Sequence, residues 1–225
     1  MCGRFTLRSP GNLMIEQFEL DFPDDLAPRY NIAPTQQALV IRGADREPAK
    51  LRWGLIPFWS KDLSGGARMI NARSETVATK PSFRNAFRKR RCLVPADGYI
   101  EWVKSGTKKQ PYWIRMADER PFLMAGLWER WQDKSVADSD PVETFTILTT
   151  KSNTLTREIH DRMPVILGPN DYQKWLDTTV VEESELSYMF EPYDSNDMKL
   201  DPVSDRVNSV RNDDEACLQI ERTLF

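Results

Sequence analysis

Apolar and polar positions alternate most clearly in the middle of the chain, and that alternation predicts strands. Ala38–Arg42 and Lys50–Trp53 read as a strand pair around a turn at Gly43-Ala44-Asp45. Cys92–Val103 and Pro111–Met116 read as a second pair, joined around Ser105-Gly106-Thr107-Lys108. Pro121–Trp128 and Glu143–Thr150 continue the β pattern, with a polar loop from Gln132 to Pro141 between them. Helical spacing is confined to short segments. Asn12–Leu20 groups Leu13, Met14 and Phe18, Ser82–Arg90 forms a basic helix entered after Pro81, and Pro169-Asn170-Asp171 opens a helix carrying Tyr172, Trp175 and Leu176. Asn153–Ile159 and Val181–Phe190 are further helix candidates, Asp201–Val210 returns as a strand, and Ser60–Arg68, with Gly65-Gly66, reads as an exposed loop. Strands cluster without regular β–α alternation. The expected class is therefore α+β and not a doubly wound sheet.

Composition narrows the setting. The chain has 225 residues, 40% hydrophobic and 29% charged, the balance of an ordinary globular protein with a core. No apolar run approaches the ~18 residues of a membrane span, and no basic-then-apolar start marks a secretory signal. Cys2, Cys92 and Cys217 are too few and too scattered for a disulfide framework or a zinc site. The expectation is a cytoplasmic protein in a reducing compartment, with no metal and no cofactor.

The net charge of -3 argues weakly against nucleic acid, but the distribution argues the other way. Lys80–Arg91 holds Lys80, Arg84, Arg88, Lys89, Arg90 and Arg91 with no acidic residue, and Lys104, Lys108 and Lys109 follow. Trp53, Phe58, Trp59, Phe83 and Phe87 are near in sequence. Cations beside stacking platforms are what a single-stranded nucleic acid requires. The alternative is a solvated basic helix whose Phe83 and Phe87 face the core.

The candidate chemistry starts at Cys2. Loss of Met1 would give this residue a free α-amine beside its thiol, with reference pKa values of about 7.7–8.0 and about 8.5. An amine condenses with an aldehyde to an imine, and a tethered thiol closes on the imine carbon to form a thiazolidine. The same pair suits nucleophilic acyl transfer, and a plain strand residue is the third reading. His160 is the single histidine, in Glu158-Ile159-His160-Asp161-Arg162-Met163-Pro164, and reads either as a proton shuttle or as a surface turn residue. Glu101 sits between Ile100 and Trp102, as a buried acid/base or an edge-strand carboxylate facing water. Asn71-Ala72-Arg73 offers an amide and a guanidinium suited to a phosphate or carboxylate, or else a turn.

Several ordered blocks together resemble one family. These are Cys2-Gly3-Arg4-Phe5, Arg29-Tyr30-Asn31-Ile32-Ala33-Pro34, Trp53-Gly54-Leu55-Ile56-Pro57, Ile70-Asn71-Ala72-Arg73-Ser74-Glu75-Thr76, Arg91–Trp102 and Ile159–Pro164. Pro202-Val203-Ser204 and Val207-Asn208-Ser209-Val210 complete the series. The pattern resembles the SRAP family, the SOS response-associated peptidases. The resemblance implies a single domain over 2–225, with core blocks at 2–210 and an acidic segment, 177–225, packed on them. It implies a mixed, mainly antiparallel, barrel-like β core with flanking helices.

The resemblance also implies a function. Family members bind abasic sites in single-stranded DNA and at single-strand/double-strand junctions, and the mature N-terminal cysteine forms a thiazolidine with the ring-opened sugar. Carried over by position, Cys2 is the nucleophile and Glu101 assists amine deprotonation and crosslink reversal. His160 moves protons and supports a lyase activity, and Asn71 holds the Cys2 terminus or the opened sugar. Arg4 and Arg73 grip the flanking phosphates, Pro34 and Trp102 contact bases, and Arg84 and Arg88 belong to the basic surface. The implied partner is abasic single-stranded DNA, bound by a monomer without a membrane, nucleoid-associated if the source is bacterial. Three rival readings are a cysteine-type peptidase using Cys2 and His160, an N-terminal-nucleophile glutamine amidotransferase, and a non-covalent DNA-junction binder. The amidotransferase pattern lacks support, since Arg4 follows Gly3 and no Asn-Gly-Asp occurs.

Overall fold

The most regular alternation in the sequence falls where the two longest strands form, β9 (Phe122–Trp131) and β10 (Val142–Lys151). The computed structural model describes residues 2–9, 18, 26–106 and 108–221. β10 pairs antiparallel with β9 and parallel with β4 (Glu47–Trp53). From β4 the ladder runs through β3 (Gln37–Arg42) and β6 (Arg91–Ala96) back to β9. These five strands close into a barrel-like ring, which leaves no free edge along it. A second, antiparallel sheet has the order β12 (Met198–Pro202), β8 (Lys108–Met116), β7 (Gly98–Ser105), β1 (Phe5–Leu7), β2 (Arg29–Ile32). The fold is α+β, and its described helices are short: α1 (Arg84–Lys89) and α2 (Tyr172–Leu176).

The two sheets meet through aromatic residues. Trp53 is fully buried, with the Phe5 ring edge-on at 5.1 Å and Phe145 stacked at 6.3 Å. It therefore ties β1 of one sheet to β4 and β10 of the other. The chain changes sheets between β6 and β7 at Asp97-Gly98. A Cβ on Gly98 would lie 2.0 Å from Nε1 of Trp113, so only glycine lets β7 pass under that indole.

Arg91 corrects the sequence reading of the basic surface. It is 1% exposed and lies inside the fold. Its guanidinium donates to the carbonyls of Trp175 at 2.5 Å, Phe87 at 2.7 Å, Val180 at 3.0 Å, and also Asp177. Those of Phe87, Trp175 and Asp177 are orphan carbonyls at the ends of α1 and α2, which helix geometry leaves without internal donors, and that of Val180 belongs to the turn after α2. Burial pushes the Arg91 ionisation down to about 10. Arg90 is likewise engaged, with Glu129 at 2.9 Å. Phe83 and Phe87 are buried, which settles their side of the alternative in favour of the core.

Other expectations shift in detail. Cys92–Val103 is two strands, because Asp97 turns inward between them. Asn153–Ile159 is a series of turns and Val181–Phe190 is two 3-10 turns, Glu183–Glu185 and Ser187–Phe190. Asp201–Val210 splits into the end of β12 and a 3-10 turn at Asp205–Asn208. The Ser60–Arg68 loop ends in a 3-10 turn, Gly66–Arg68. The Asn12–Leu20 helix lies outside the described residues except for Phe18, which is helical, buried and edge-on to Tyr172 at 5.9 Å.

Candidate active site and nucleic-acid interface

β10 assembles much of the site. Its second half outruns β4 and β9 and takes new partners on both edges. β5 (Asn71–Arg73) pairs parallel with Ile147–Thr149, and β11 (Arg162–Pro164) pairs antiparallel with Thr149–Lys151. Asn71 and Arg73 thus arrive on one edge, and His160, two residues before β11, on the other. Arg162 fastens the two sides together. Its guanidinium forks onto Glu75, at 2.5 and 2.9 Å, and donates to the Thr149 carbonyl at 2.5 Å.

The second sheet brings the nucleophile. β1 pairs with β7, with Phe5 opposite Tyr99 and Thr6 opposite Gly98, so residues 2–4 run on toward Glu101. Asp97 holds this arm. Its carboxylate accepts from Thr6 Oγ1 at 2.5 Å, the Arg8 N–H at 2.6 Å, and Ser9 N–H and Oγ at 2.8 and 3.0 Å. The Cys2 carbonyl accepts from Asn71 Nδ2 at 2.8 Å. Cys2 is fully buried, and its thiol donates to the Arg4 carbonyl at 3.6 Å. Burial first, and then the Glu101 carboxylate, push the thiol well above its ordinary range.

Glu101 is 5% exposed, so the interior alternative holds. His160 keeps 30% of its side chain accessible. Its Nδ1 lies 3.0 Å from the Arg162 backbone N–H, which donates to it when that nitrogen is unprotonated. The Asp161 carboxylate lies 2.9 Å from the same Nδ1, a contact that becomes attractive when the ring is protonated.

An open cleft of about 1140 Å³ is lined by Gly3, Arg4, Pro34, Glu101, Trp102 and His160, with Lys109, Gln110, Asp205, Asn208 and Glu221 around it. Arg4 lies over the Trp102 ring at 5.6 Å and donates to the Val207 carbonyl at 3.3 Å, and burial lowers its ionisation. Trp102 Nε1 donates to Asn208 Oδ1 at 2.7 Å. A second opening of about 700 Å³ is lined by Arg68, Asn71, Arg73, Lys80 and Phe83. Asn71 contacts Cys2 and lines this second opening, while Gly3 and Arg4, the next residues after Cys2, line the first. Phe58 and Trp59 are 47% and 52% exposed. Arg84 and Arg88 stand on the exposed face of α1 and line neither opening.

Sequence reasoning missed Asp97, Glu75 and Arg162 as the residues that fix this geometry. The only signal for Asp97 was an acid in an otherwise apolar run, Leu93–Ile100. Glu75 yields a pH prediction. Its hydrogen bonds from Arg162 hold the carboxyl below its ordinary value of 4.5. The pair's contribution is fully present above that value and disappears as the pH falls through the lowered one. Glu75 is 43% exposed, so the contribution is under about 1 kcal/mol. The thermal midpoint of Glu75→Gln should fall slightly below wild type at pH 7, and the gap should close as the buffer is taken below about pH 4.

The SOS response associated peptidase (SRAP) family model matches residues 1–210. The chain belongs to the SRAP family. Among SRAP relatives, the "Abasic site processing protein YoqW" of Bacillus subtilis (strain 168) is 44% identical, over 94% of this chain and 96% of its own length. The "Abasic site processing protein YedK" of Escherichia coli (strain K12) is 33% identical, over 97% and 99%. A crystal structure of a Bacteroides thetaiotaomicron protein matches the fold with a TM-score of 0.87 at 30% identity, covering 98% of this chain and 100% of that one.

Proposed function

We propose that this SRAP protein captures abasic sites in single-stranded DNA, including sites at junctions with duplex, as a covalent adduct of Cys2 after Met1 is removed. The observation that carries the reading is the placement of Cys2. It is pinned through its carbonyl by Asn71 at 2.8 Å, and its neighbours Gly3 and Arg4 line an open cleft with Glu101 and His160.

The opened abasic sugar presents an aldehyde. The Cys2 amine adds to its carbon, and loss of one water leaves an imine. The thiol then adds across the C=N bond. A C–S bond forms, the π pair becomes the lone pair on nitrogen, and the thiol proton passes by way of a base to that nitrogen, which completes the thiazolidine. Glu101 is positioned to take protons from the amine and thiol, and His160 Nε2–H to donate toward the sugar oxygens as the ring opens. Closure removes the electrophilic C=N, so the adduct outlasts a simple imine. From the imine, loss of a proton beside it expels the 3′ phosphate, which is the lyase branch. Return through the imine, with Glu101 and His160 reversing their roles, is the release branch.

Arg4 and Arg73 take the phosphates on either side of the lesion, Pro34 and Trp102 take the adjacent bases, and Lys80 leads the strand toward Arg84 and Arg88 on α1. Base identity matters little, because the lesion has none.

The test is a denaturing gel with matched single-stranded oligonucleotides, one abasic and one intact. A band that survives denaturation with the abasic strand alone supports the reading. Equal, non-covalent binding of both strands would replace it with a junction binder. By the same assay run without denaturant, Arg73→Gln should weaken binding several-fold and lower the slope of log K against log salt by about one.

A further inference from the structure

Asn31 is a fully buried polar residue of β2 with no part in the reaction above. Its side-chain nitrogen lies 3.1, 3.0 and 2.7 Å from the carbonyls of Val207, Ser209 and Asn212, which share its two hydrogens. The contact is returned. The Asp213 carboxylate accepts from the backbone N–H groups of Tyr30 and Asn31 at 2.6 and 2.9 Å, and from Arg29 Nε. β2 is the last strand of its sheet, and the 207–213 segment thus covers that edge.

Apolar burial does not set the path of this segment. Within 207–212 only Val207 is buried, so the hydrogen bonds to Asn31 fix the rest. Two groups of the cleft depend on that path. The Val207 carbonyl accepts from Arg4 Nη1 at 3.3 Å, and Asn208 Oδ1 accepts from Trp102 Nε1 at 2.7 Å. Pro34 is tied to the same clamp. Arg29 Nη2 donates to Gln36 Oε1 at 2.9 Å, and that oxygen also accepts from the N–H of Ala33 at 3.0 Å. Arg4, Trp102 and Pro34 line one cleft, whereas Asn31 lines neither opening.

The reacting end of the arm is held separately. Asn71 bonds the Cys2 carbonyl, and the Ile100 N–H bonds the Arg4 carbonyl at 3.0 Å. Farther along the chain, Cys217 and Leu218 pack with Ile100 and Trp113. Opening the clamp therefore frees the Arg4 guanidinium and the Trp102 indole without releasing Cys2 or the end of the chain.

Resting on the reading of the cleft as the DNA-capture site, we infer that Asn31 is a positioning residue for strand capture. With Asp213 it clamps 207–213 onto β2, and through Val207 and Asn208 it sets Arg4 and Trp102 against the incoming phosphate and base. It acts on affinity for the strand and leaves the closure chemistry at Cys2 alone.

Asn31→Ala and Asp213→Asn, each in the full chain, test this on an abasic single-stranded oligonucleotide at a temperature where wild type and variant are folded. The DNA concentration for half-maximal adduct formation should rise about tenfold, while the rate at saturating DNA stays within about twofold of wild type. Non-covalent binding of the intact oligonucleotide should weaken by the same factor. A residue that only braces the fold gives another pattern: fewer active molecules, each with the wild-type half-saturation concentration. Asp213 keeps 25% of its side chain accessible, so its variant is the milder one and decides alone if Asn31→Ala does not fold. Asn31→Ala joined to Asn208→Ala should raise the half-saturation concentration by less than the product of the two single effects, because Asn31 acts partly through Asn208. An unchanged half-saturation concentration in Asp213→Asn would overturn the inference. So would a saturating rate that falls as far as the affinity, a loss confined to the number of active molecules, or a full product in the double variant. A wild-type protein that neither binds nor crosslinks either oligonucleotide would instead bring down the DNA-capture reading on which this rests.

Discussion

Cys2→Ala should form no adduct with abasic single-stranded DNA that survives denaturation, while Cys2→Ser should lose the durable adduct and keep the borohydride-trappable imine. Both variants keep one nucleophile of this residue, the α-amine, and remove the other, the thiol. Alanine keeps the α-amine and removes the thiol, so chemistry stops at the imine. Serine also keeps the amine, and its hydroxyl is a far weaker nucleophile than a thiol at neutral pH. Loss of adduct should approach the detection limit, a drop of at least about a thousandfold, because no other described group supplies the second bond. Both side chains fit the buried space of the thiol, so thermal midpoints should fall by only a few degrees. Retention of Met1 should silence the protein as completely as Cys2→Ala, because the amide nitrogen it leaves on Cys2 is not nucleophilic. Normal denaturation-resistant crosslinking by Cys2→Ala would remove Cys2 from the mechanism.

The second large effect is expected at Asp97, a residue that touches no substrate. Its carboxylate accepts four hydrogen bonds from Thr6, Arg8 and Ser9, and it is 1% exposed. Asp97→Ala strands those donors in the interior. The loss should be about 3–5 kcal/mol of stability. For a domain of this size that lowers the thermal midpoint by about 10 °C or more. The arm that carries Cys2 is then no longer fixed against β7. Adduct formation should fall by about a hundredfold even at temperatures where the variant remains folded, since misplacing a reacting group costs about that much. Hydrogen exchange at the Arg8 and Ser9 amides should accelerate in parallel. Wild-type protection at those amides in Asp97→Ala would mean the arm is held by something else.

The chemistry was more legible in the sequence than the framework that positions it. Residue type singled out Cys2, Asn71, Glu101 and His160 but left each with a plainer alternative, and the family blocks in which they sit supplied their roles; the structure brings Cys2 to Asn71 and lines one cleft with Glu101 and His160. The long alternating strands were equally plain, as with β9 and β10. β1, β5 and β11 were not, because three residues hold too little periodicity to register. Those short strands are the ones that deliver the arm of Cys2, Asn71 and the His160 turn. Asp97, Glu75 and Arg162 escaped for a related reason. Their roles are created by partners 13 to 91 positions away, and nothing local marks them. The run Lys80–Arg91 shows the converse error. Its cations look alike in sequence, yet Arg84 and Arg88 face water, Arg90 pairs with Glu129, and Arg91 caps two helices from within.

Intact-mass spectrometry of the full chain, before and after incubation with an abasic single-stranded oligonucleotide, tests the central claim most directly. The account predicts a starting mass lacking Met1. It also predicts a product heavier by the oligonucleotide less one water, resistant to denaturation and absent with Cys2→Ala. A protein that has lost Met1 and gains no mass, or gains the same mass with Cys2→Ala, would contradict it.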